Sequence, residues 1–192
     1  MEPPGEGREW SAAKVDRREE NLKIFGIEHI GFTVPNLDEA VSFFETIFGA
    51  VTVMTTGKID VDGTFMRSRL GVPEHCRIEN IKVLRCGNGS NIELFEYSGE
   101  GTEEALKRNS QPGGFHVAFQ VDDAVSAAER LRERGVDVLD GPTYVDAGAM
   151  KGLTWLYLRA PWGQFLEIVS TTGPLGYEAD GGPKLWSPVS GA

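Results

Sequence analysis

The 192-residue chain is poor in cysteine and histidine, with two of the former and three of the latter. Cys76 and Cys86 are too few and too loosely placed for a disulfide framework or a cysteine-based zinc site, which indicates a reducing, cytoplasmic compartment. The N-terminus lacks a basic segment followed by an apolar one. No apolar run approaches the about 20 residues that span a bilayer, so we expect neither secretion nor a membrane partner.

Positive charge is also scarce. Lys and Arg number 19 against 29 Asp and Glu, which leaves a formal net charge of −10. Nucleic-acid binding relies on basic side chains that neutralise phosphates, so we expect no nucleic-acid partner. The hydrophobic content of 40% is ordinary for a globular protein with a full core. A small-molecule substrate is therefore the expected partner.

The chain divides into three parts by composition. Residues 1–23 alternate in charge with few apolar groups and predict a flexible N-terminal arm. Residues 24–170 carry the strand and helix patterns of a folded domain. Residues 171–192 are rich in Gly and Pro and predict a C-terminal tail without regular structure.

The first half of the domain, about 24–98, predicts one helix and four strands. The helix follows a strand at 27–34, with Asn36 as its N-cap and Gly49 as the left-handed residue at its end. The predicted later strands lie at 50–56, 78–86 and 91–97, the last two joined by the hairpin turn Gly87-Asn88-Gly89-Ser90.

The second half, about 113–170, repeats this order. A strand at 115–121 precedes a helix that begins near Asp123 and ends at Gly135. The predicted later strands lie near 136–145, 153–159 and 164–169, with Pro161-Trp162-Gly163 as the last turn. Duplication of one unit predicts an α+β fold, two tandem βαβββ modules that pack side by side and whose mixed sheets form a concave cleft.

Two of the three histidines occupy matching positions in this repeat. His29 and His116 each lie near the start of the first predicted strand of a module, and each is followed by a glutamate on that module's last strand, Glu93 or Glu167. Side chains alternate between the faces of a strand, so only one of Glu93 and Glu96 can share a face with His29. We choose Glu93, because Ile92 and Leu94 then supply the helix-facing core.

The four side chains predict a metal site. A single histidine on a strand is more often a core residue, but the paired register favours a ligand role. Two imidazoles with two carboxylates suit one divalent metal ion such as Zn, Fe, Mn, Co or Ni. Burial of Glu167 between Phe165 and Val169 would also be costly without a partner.

These residues resemble the vicinal oxygen chelate superfamily, which includes glyoxalase I, methylmalonyl-CoA epimerase, extradiol dioxygenases, fosfomycin-resistance enzymes and bleomycin-binding proteins. The resemblance covers nearly all of 24–170. It is strongest in Ile27-Glu-His-Ile-Gly-Phe-Thr-Val-Pro, Gly114-Phe-His-Val-Ala-Phe-Gln-Val-Asp and Ala160-Pro-Trp-Gly-Gln-Phe-Leu-Glu. It implies metal ligands at His29, Glu93, His116 and Glu167.

The complete ligand set is most similar to that of glyoxalase I and the epimerases. The resemblance then implies a metal-dependent isomerase that abstracts a proton alpha to a carbonyl, with Glu93 and Glu167 as acid and base. The alternatives are a non-heme iron extradiol-type dioxygenase and a glyoxalase-type lyase. The family also implies a homodimer.

The sequence says less about the substrate than about the metal site. Few basic residues lie near the predicted cleft, which argues against a coenzyme A thioester, and several polar residues lie in predicted loops. An acidic, polar-lined cleft favours a cyclitol ketone such as 2-epi-5-epi-valiolone. The basic residues are Lys58, Arg67, Arg69, Arg77 and Lys151, and the polar loop residues are Asp62, His75, Tyr144 and Asp146.

Overall fold

Each half of the chain builds a mixed β-sheet with a helix packed on one face. A computed structural model describes residues 26–99 and 106–189. The predicted arm, residues 1–23, lies outside the described residues. None of the helices within these two ranges has both the length and the apolar composition of a membrane span.

The first module forms a four-stranded sheet in the order β1-β4-β3-β2, with β1 parallel to β4 and the other pairs antiparallel. Its elements are β1 (His29–Thr33), α1 (Leu37–Phe48), β2 (Val51–Thr55), α2 (Gly63–Leu70), β3 (Arg77–Arg85) and β4 (Asn91–Ser98).

The second module repeats the arrangement as β5-β9-β8-β6, with the short β7 also paired to β8. Here β5 is parallel to β9, as β1 is to β4. Its elements are β5 (Val117–Gln120), α3 (Ala124–Glu133), β6 (Asp137–Val138), β7 (Thr143–Tyr144), β8 (Leu153–Arg159) and β9 (Phe165–Thr171). The predicted α+β fold of two tandem modules is confirmed.

The ends of the two long helices follow the predicted signals. Asn36 Oδ1 accepts a hydrogen bond from the Glu39 amide at 3.0 Å, and Gly49 ends α1 with a φ of 64°. Asp123 Oδ1 accepts from the Val125 amide at 2.9 Å, and Gly135, with a φ of 75°, follows the end of α3. These caps satisfy backbone groups that the helix itself leaves unpaired.

Three predictions of local structure were wrong. The first module was predicted to contain one helix and contains a second, α2; Met66 is its single buried side chain, so its sequence has almost no apolar periodicity. The strand predicted near 136–145 is two short strands, because Gly141 and Pro142 interrupt the pairing and proline has no amide hydrogen to donate. The tail, expected to lack regular structure, contains a 3₁₀ helix at Gly176–Asp180.

The two modules share one hydrophobic core on the helix side of their sheets. Phe44, on α1, is fully buried and lies 6.4 Å from the ring of Phe119 on β5 and 5.9 Å from that of Trp162. Phe48 stacks on Phe119 with ring centroids 4.3 Å apart. This aromatic cluster fixes β1 and β5, and the histidines at their beginnings, relative to one another.

Candidate functional site

The first half-site joins the beginning of β1 to the middle of β4. Because the two strands are parallel, Gly31 is the register partner of Glu93, and His29 lies two residues earlier on the same face. His29 Nε2 is 3.3 Å from Glu93 Oε2. A Cβ at Gly31 would lie 3.5 Å from Glu93 Oε2, so the glycine leaves room beside the carboxylate.

The second half-site has the same construction. Ala118 is the register partner of Glu167, and His116 lies two residues earlier, immediately before β5. His116 Nε2 is 3.0 Å from Glu167 Oε2. The small Ala118 occupies the position of Gly31, so both modules leave room beside their glutamate.

The structure also separates the two glutamates of β4. Glu96 Oε2 accepts a hydrogen bond from the Leu37 amide at 2.9 Å, at the beginning of α1. Glu96 thus satisfies a backbone donor on the helix side, where a carboxylate is favoured by the helix dipole. Glu93 lies on the side of His29, as the alternation of β4 predicted.

Burial distinguishes the carboxylate of the second half-site. The Glu167 side chain is only 14% exposed, and burial raises the pKa of its carboxyl group, an effect that His116 partly offsets. A carboxylate with a raised pKa is a stronger base toward a weakly acidic carbon. Partial burial next to His116 therefore separates Glu167 from a solvated surface carboxylate.

Sequence reasoning overlooked Glu28. Its Oε2 accepts a hydrogen bond from His29 Nδ1 at 2.5 Å, and its Oε1 accepts one from Asn91 Nδ2 at 2.8 Å. The contact with Glu28 raises the pKa of His29, and the contact with His29 lowers the pKa of Glu28. Strand alternation would turn adjacent residues to opposite faces, but Glu28 precedes β1 and is free of that constraint.

Tyr157 was also overlooked. It is the register partner of Glu167 on β8, and its hydroxyl lies 3.5 Å from His116 Nε2. Burial raises the pKa of Tyr157, and the charge of Glu167 raises it further. The sequence could have indicated Tyr157. The hairpin turn predicted at 161–163 pairs the last two strands, and counting back from that turn places Tyr157 opposite Glu167.

Several residues considered for substrate binding have other partners. Lys58 forms an ion pair with Glu79 at 3.1 Å, and Arg67 forms one with Glu74 at 3.1 Å. Asp62, expected in a loop, is the N-cap of α2 and accepts a hydrogen bond from the Phe65 amide. The other basic and polar residues that the sequence suggested for substrate binding are partly or fully exposed: Arg69, His75, Arg77, Tyr144, Asp146 and Lys151.

The structure brings the four predicted ligands together as two pairs. Within residues 26–99 and 106–189, no three His, Cys, Asp or Glu side chains converge closely enough to hold a metal ion. The donor set nevertheless fits a borderline divalent ion, because each half-site offers one imidazole nitrogen and one carboxylate oxygen. The four-ligand site stays a prediction.

A cavity of about 530 Å³ lies at the junction of the two modules. Its lining includes Ala118, the register partner of Glu167, but none of the four predicted ligands. Apolar side chains of both modules line it, among them Ile30, Phe48 and Phe119. The C-terminal tail contributes Trp186 and Pro188. The tail therefore crosses the junction of the two modules instead of extending away from it.

Comparison with known proteins assigns the chain to a family. The sequence profile described as the Glyoxalase/Bleomycin resistance protein/Dioxygenase superfamily matches residues 28–153. A 2-epi-5-epi-valiolone epimerase from an Actinomyces species is 37% identical over 163 residues, 84% of this chain and 88% of that protein. The mitochondrial methylmalonyl-CoA epimerase of Dictyostelium discoideum is 25% identical over 82% of this chain and 86% of its own.

Solved structures share the fold. A glyoxalase family protein from Bacillus cereus superposes with a TM-score of 0.62 at 21% identity, covering 79% of this chain and 97% of its own. The fosfomycin resistance protein FosX from Listeria monocytogenes has a TM-score of 0.53 at 18% identity, covering 78% and 96%. At these identities the likeness concerns the fold alone.

The epimerase relatives confirm the predicted reaction class, an enzyme of the vicinal oxygen chelate type with an epimerase function. A small-molecule substrate is consistent with that class. The profile match covers most of both modules, including the strands that carry His29, Glu93 and His116. The chain belongs to the glyoxalase/bleomycin resistance protein/dioxygenase superfamily.

Proposed function

We propose that this protein epimerises a cyclitol ketone of the 2-epi-5-epi-valiolone kind, with one divalent metal ion held by His29, Glu93, His116 and Glu167. The carrying observation is the His–Glu pair at the same register of both modules, with Nε2–Oε2 distances of 3.3 and 3.0 Å. The epimerase relatives favour this reaction over the dioxygenase and lyase alternatives.

The metal would supply positive charge next to the substrate's carbonyl oxygen, where negative charge develops as the neighbouring carbon loses its proton. The two imidazoles present Nε2 toward the carboxylates of their own modules, which leaves these nitrogens suitable as ligands. Zn, Fe, Mn, Co and Ni all suit this donor set.

The two glutamates are the proposed acid and base. Glu167 accepts the proton from the carbon alpha to the carbonyl, and the electron pair of the C–H bond moves into the enolate. Protonation of that carbon from the opposite face, by Glu93, inverts its configuration and returns the carbonyl. Glu167 is assigned the first step because its side chain is the more buried of the two, 14% exposed against 21% for Glu93.

Two observations support a polyhydroxy ketone as substrate. The 37% identical relative is an epimerase of 2-epi-5-epi-valiolone. A coenzyme A thioester, by contrast, carries phosphates that call for a basic clamp, and Lys58 and Arg67 are already paired with carboxylates. The acidic net charge of −10 adds to this preference.

The first test is solvent-deuterium incorporation at the carbon alpha to the ketone of 2-epi-5-epi-valiolone. Glu167→Gln and Glu93→Gln are each expected to reduce exchange and epimerisation by at least about 100-fold, the usual scale of general-base catalysis. Glu96→Gln is the matched control, because Glu96 lies on the same strand as Glu93 but faces α1. Undiminished exchange in both site variants would contradict the proposal.

We also propose a homodimer and a cytoplasmic location. The edge strand β2 leaves Val51 and Val53 62% and 70% exposed, an apolar edge that a second copy could cover. Light scattering at micromolar concentration tests the assembly. The low cysteine content supports a reducing compartment.

A further inference from the structure

The two half-sites differ at the residue that precedes each histidine. Glu28 precedes His29, whereas Phe115 precedes His116. Phe115 packs near Phe32, with ring centroids 6.4 Å apart, and therefore belongs to the contact between the modules. The duplicated fold thus keeps the His–Glu pair but gives only its first copy a second carboxylate.

Glu28 is held in place by the beginning of β4. Asn91 Nδ2 donates to Glu28 Oε1 at 2.8 Å, and the Asn91 amide donates to the Glu28 carbonyl oxygen at 3.0 Å. Ser90 Oγ donates to the carbonyl oxygen of Ile27 at 2.9 Å. The chain before β1 is therefore bound to the same strand that carries Glu93.

The carboxylate determines which nitrogen of His29 faces the site. Glu28 Oε2 lies 2.5 Å from Nδ1, and a carboxylate accepts a hydrogen bond but does not donate one. Both ring nitrogens face a carboxylate, but the Nδ1 contact with Glu28 is the shorter, 2.5 Å against 3.3 Å between Nε2 and Glu93 Oε2. In the neutral ring this difference favours the proton on Nδ1 and leaves the lone pair on Nε2. A carboxylate at the outer nitrogen also increases the basicity of the ligand nitrogen.

We propose that Glu28, oriented by Asn91, is a positioning residue that holds His29 as a metal ligand. This inference rests on the proposed metal site. In the second half-site, the described contacts of the His116 ring are with Glu167 and Tyr157, both at or near the Nε2 side. No described carboxylate bonds to Nδ1 of His116.

The test is a competition titration of zinc against a chromophoric chelator. Glu28→Ala is expected to weaken zinc binding by about 10 to 100-fold, the usual effect of removing a hydrogen-bond partner of a ligating histidine. Glu28→Gln keeps an acceptor but loses the charge, so its Kd should lie between those of wild type and Glu28→Ala. Glu129→Gln, exposed on α3, controls for the loss of one negative charge.

A second readout needs no metal. In the metal-free protein at about pH 9, where imidazole is neutral, ¹⁵N NMR should show the His29 proton on Nδ1, and Glu28→Ala should lose that preference. A wild-type protein with the proton on Nε2, or a Glu28→Ala variant with unchanged zinc affinity, would overturn the role of Glu28. A wild-type protein that binds no zinc would instead overturn the metal site itself.

Discussion

Phe44 shows how a single side chain can position a site that it does not touch. It is fully buried on α1 and contacts aromatic rings of both modules, including Phe32 at 6.1 Å and Phe119 at 6.4 Å. His29 and His116 precede Phe32 and Phe119 by three residues each. The packing that stabilises the fold therefore also sets the spacing of the half-sites.

Phe44→Ala is expected to lower the free energy of unfolding by about 3–5 kcal/mol, because it removes a fully buried ring and leaves a cavity. Phe65→Ala is the matched control, since Phe65 is 43% exposed, and its cost should be about 1 kcal/mol or less. Urea denaturation followed by tryptophan fluorescence measures both. Equal losses in the two variants would contradict the assigned role of Phe44.

The choice between Glu93 and Glu96 was predictable at the residue scale because a strand has a period of two. Apolar Ile92 and Leu94 mark the core side of β4, and both are buried. Glu28 was not predictable in this way, because it lies before the strand and its contact with Asn91 depends on the parallel pairing of β1 with β4. Periodicity assigns faces within an element but not contacts between elements.

The two long helices are the clearest case of duplication at the element scale. Each begins after an N-cap residue with nearly the same backbone, φ −146° and ψ 110° at Asn36 and φ −144° and ψ 110° at Asp123. The amide of Asn36 cannot titrate, whereas the carboxylate of Asp123 can. Hydrogen bonds from the Val125 amide and from Ser126 lower the pKa of Asp123 below its ordinary value of 3.8.

This difference predicts a pH dependence for one cap alone. A lowered pKa in the folded state means that Asp123 contributes stability above about pH 3.8, which is lost as the pH falls through the folded-state pKa. The destabilisation caused by Asp123→Ala should therefore be constant near neutral pH and shrink below pH 3.8. Asn36→Ala should cost about 1 kcal/mol at every pH. Urea titrations from pH 7 to pH 3 measure both.

If the destabilisation caused by Asn36→Ala falls with acid in the same way as that caused by Asp123→Ala, the pH dependence belongs to the whole fold and not to the Asp123 carboxylate.

Helix α2 illustrates the limit of sequence-based prediction for single elements. Its caps, Asp62 and Gly71, are ordinary signals, but eight residues with one buried side chain offer no periodicity to reveal the helix between them.

At the scale of the whole molecule, the internal repeat of the sequence was the basis for predicting the fold. The repeated order of strand, helix and strands predicted both mixed sheets and the equivalent positions of His29 and His116, whereas the parallel pairing of β1 with β4 and of β5 with β9 is a finding of the structure. The path of the tail across the module junction was not predictable, because it depends on contacts such as that of Ser187 Oγ with Gln120 Oε1 at 2.8 Å. Such contacts leave no periodic trace in the sequence.

The central claim is that the two half-sites hold one metal ion together. The measurement that tests it most directly is elemental analysis of purified protein after zinc loading and gel filtration, for wild type, His29→Ala and His116→Ala. We expect one metal ion per chain in wild type and its loss in both variants, because each removes one of four shared ligands. Full metal content after loss of either histidine, or two ions per wild-type chain, would contradict the account.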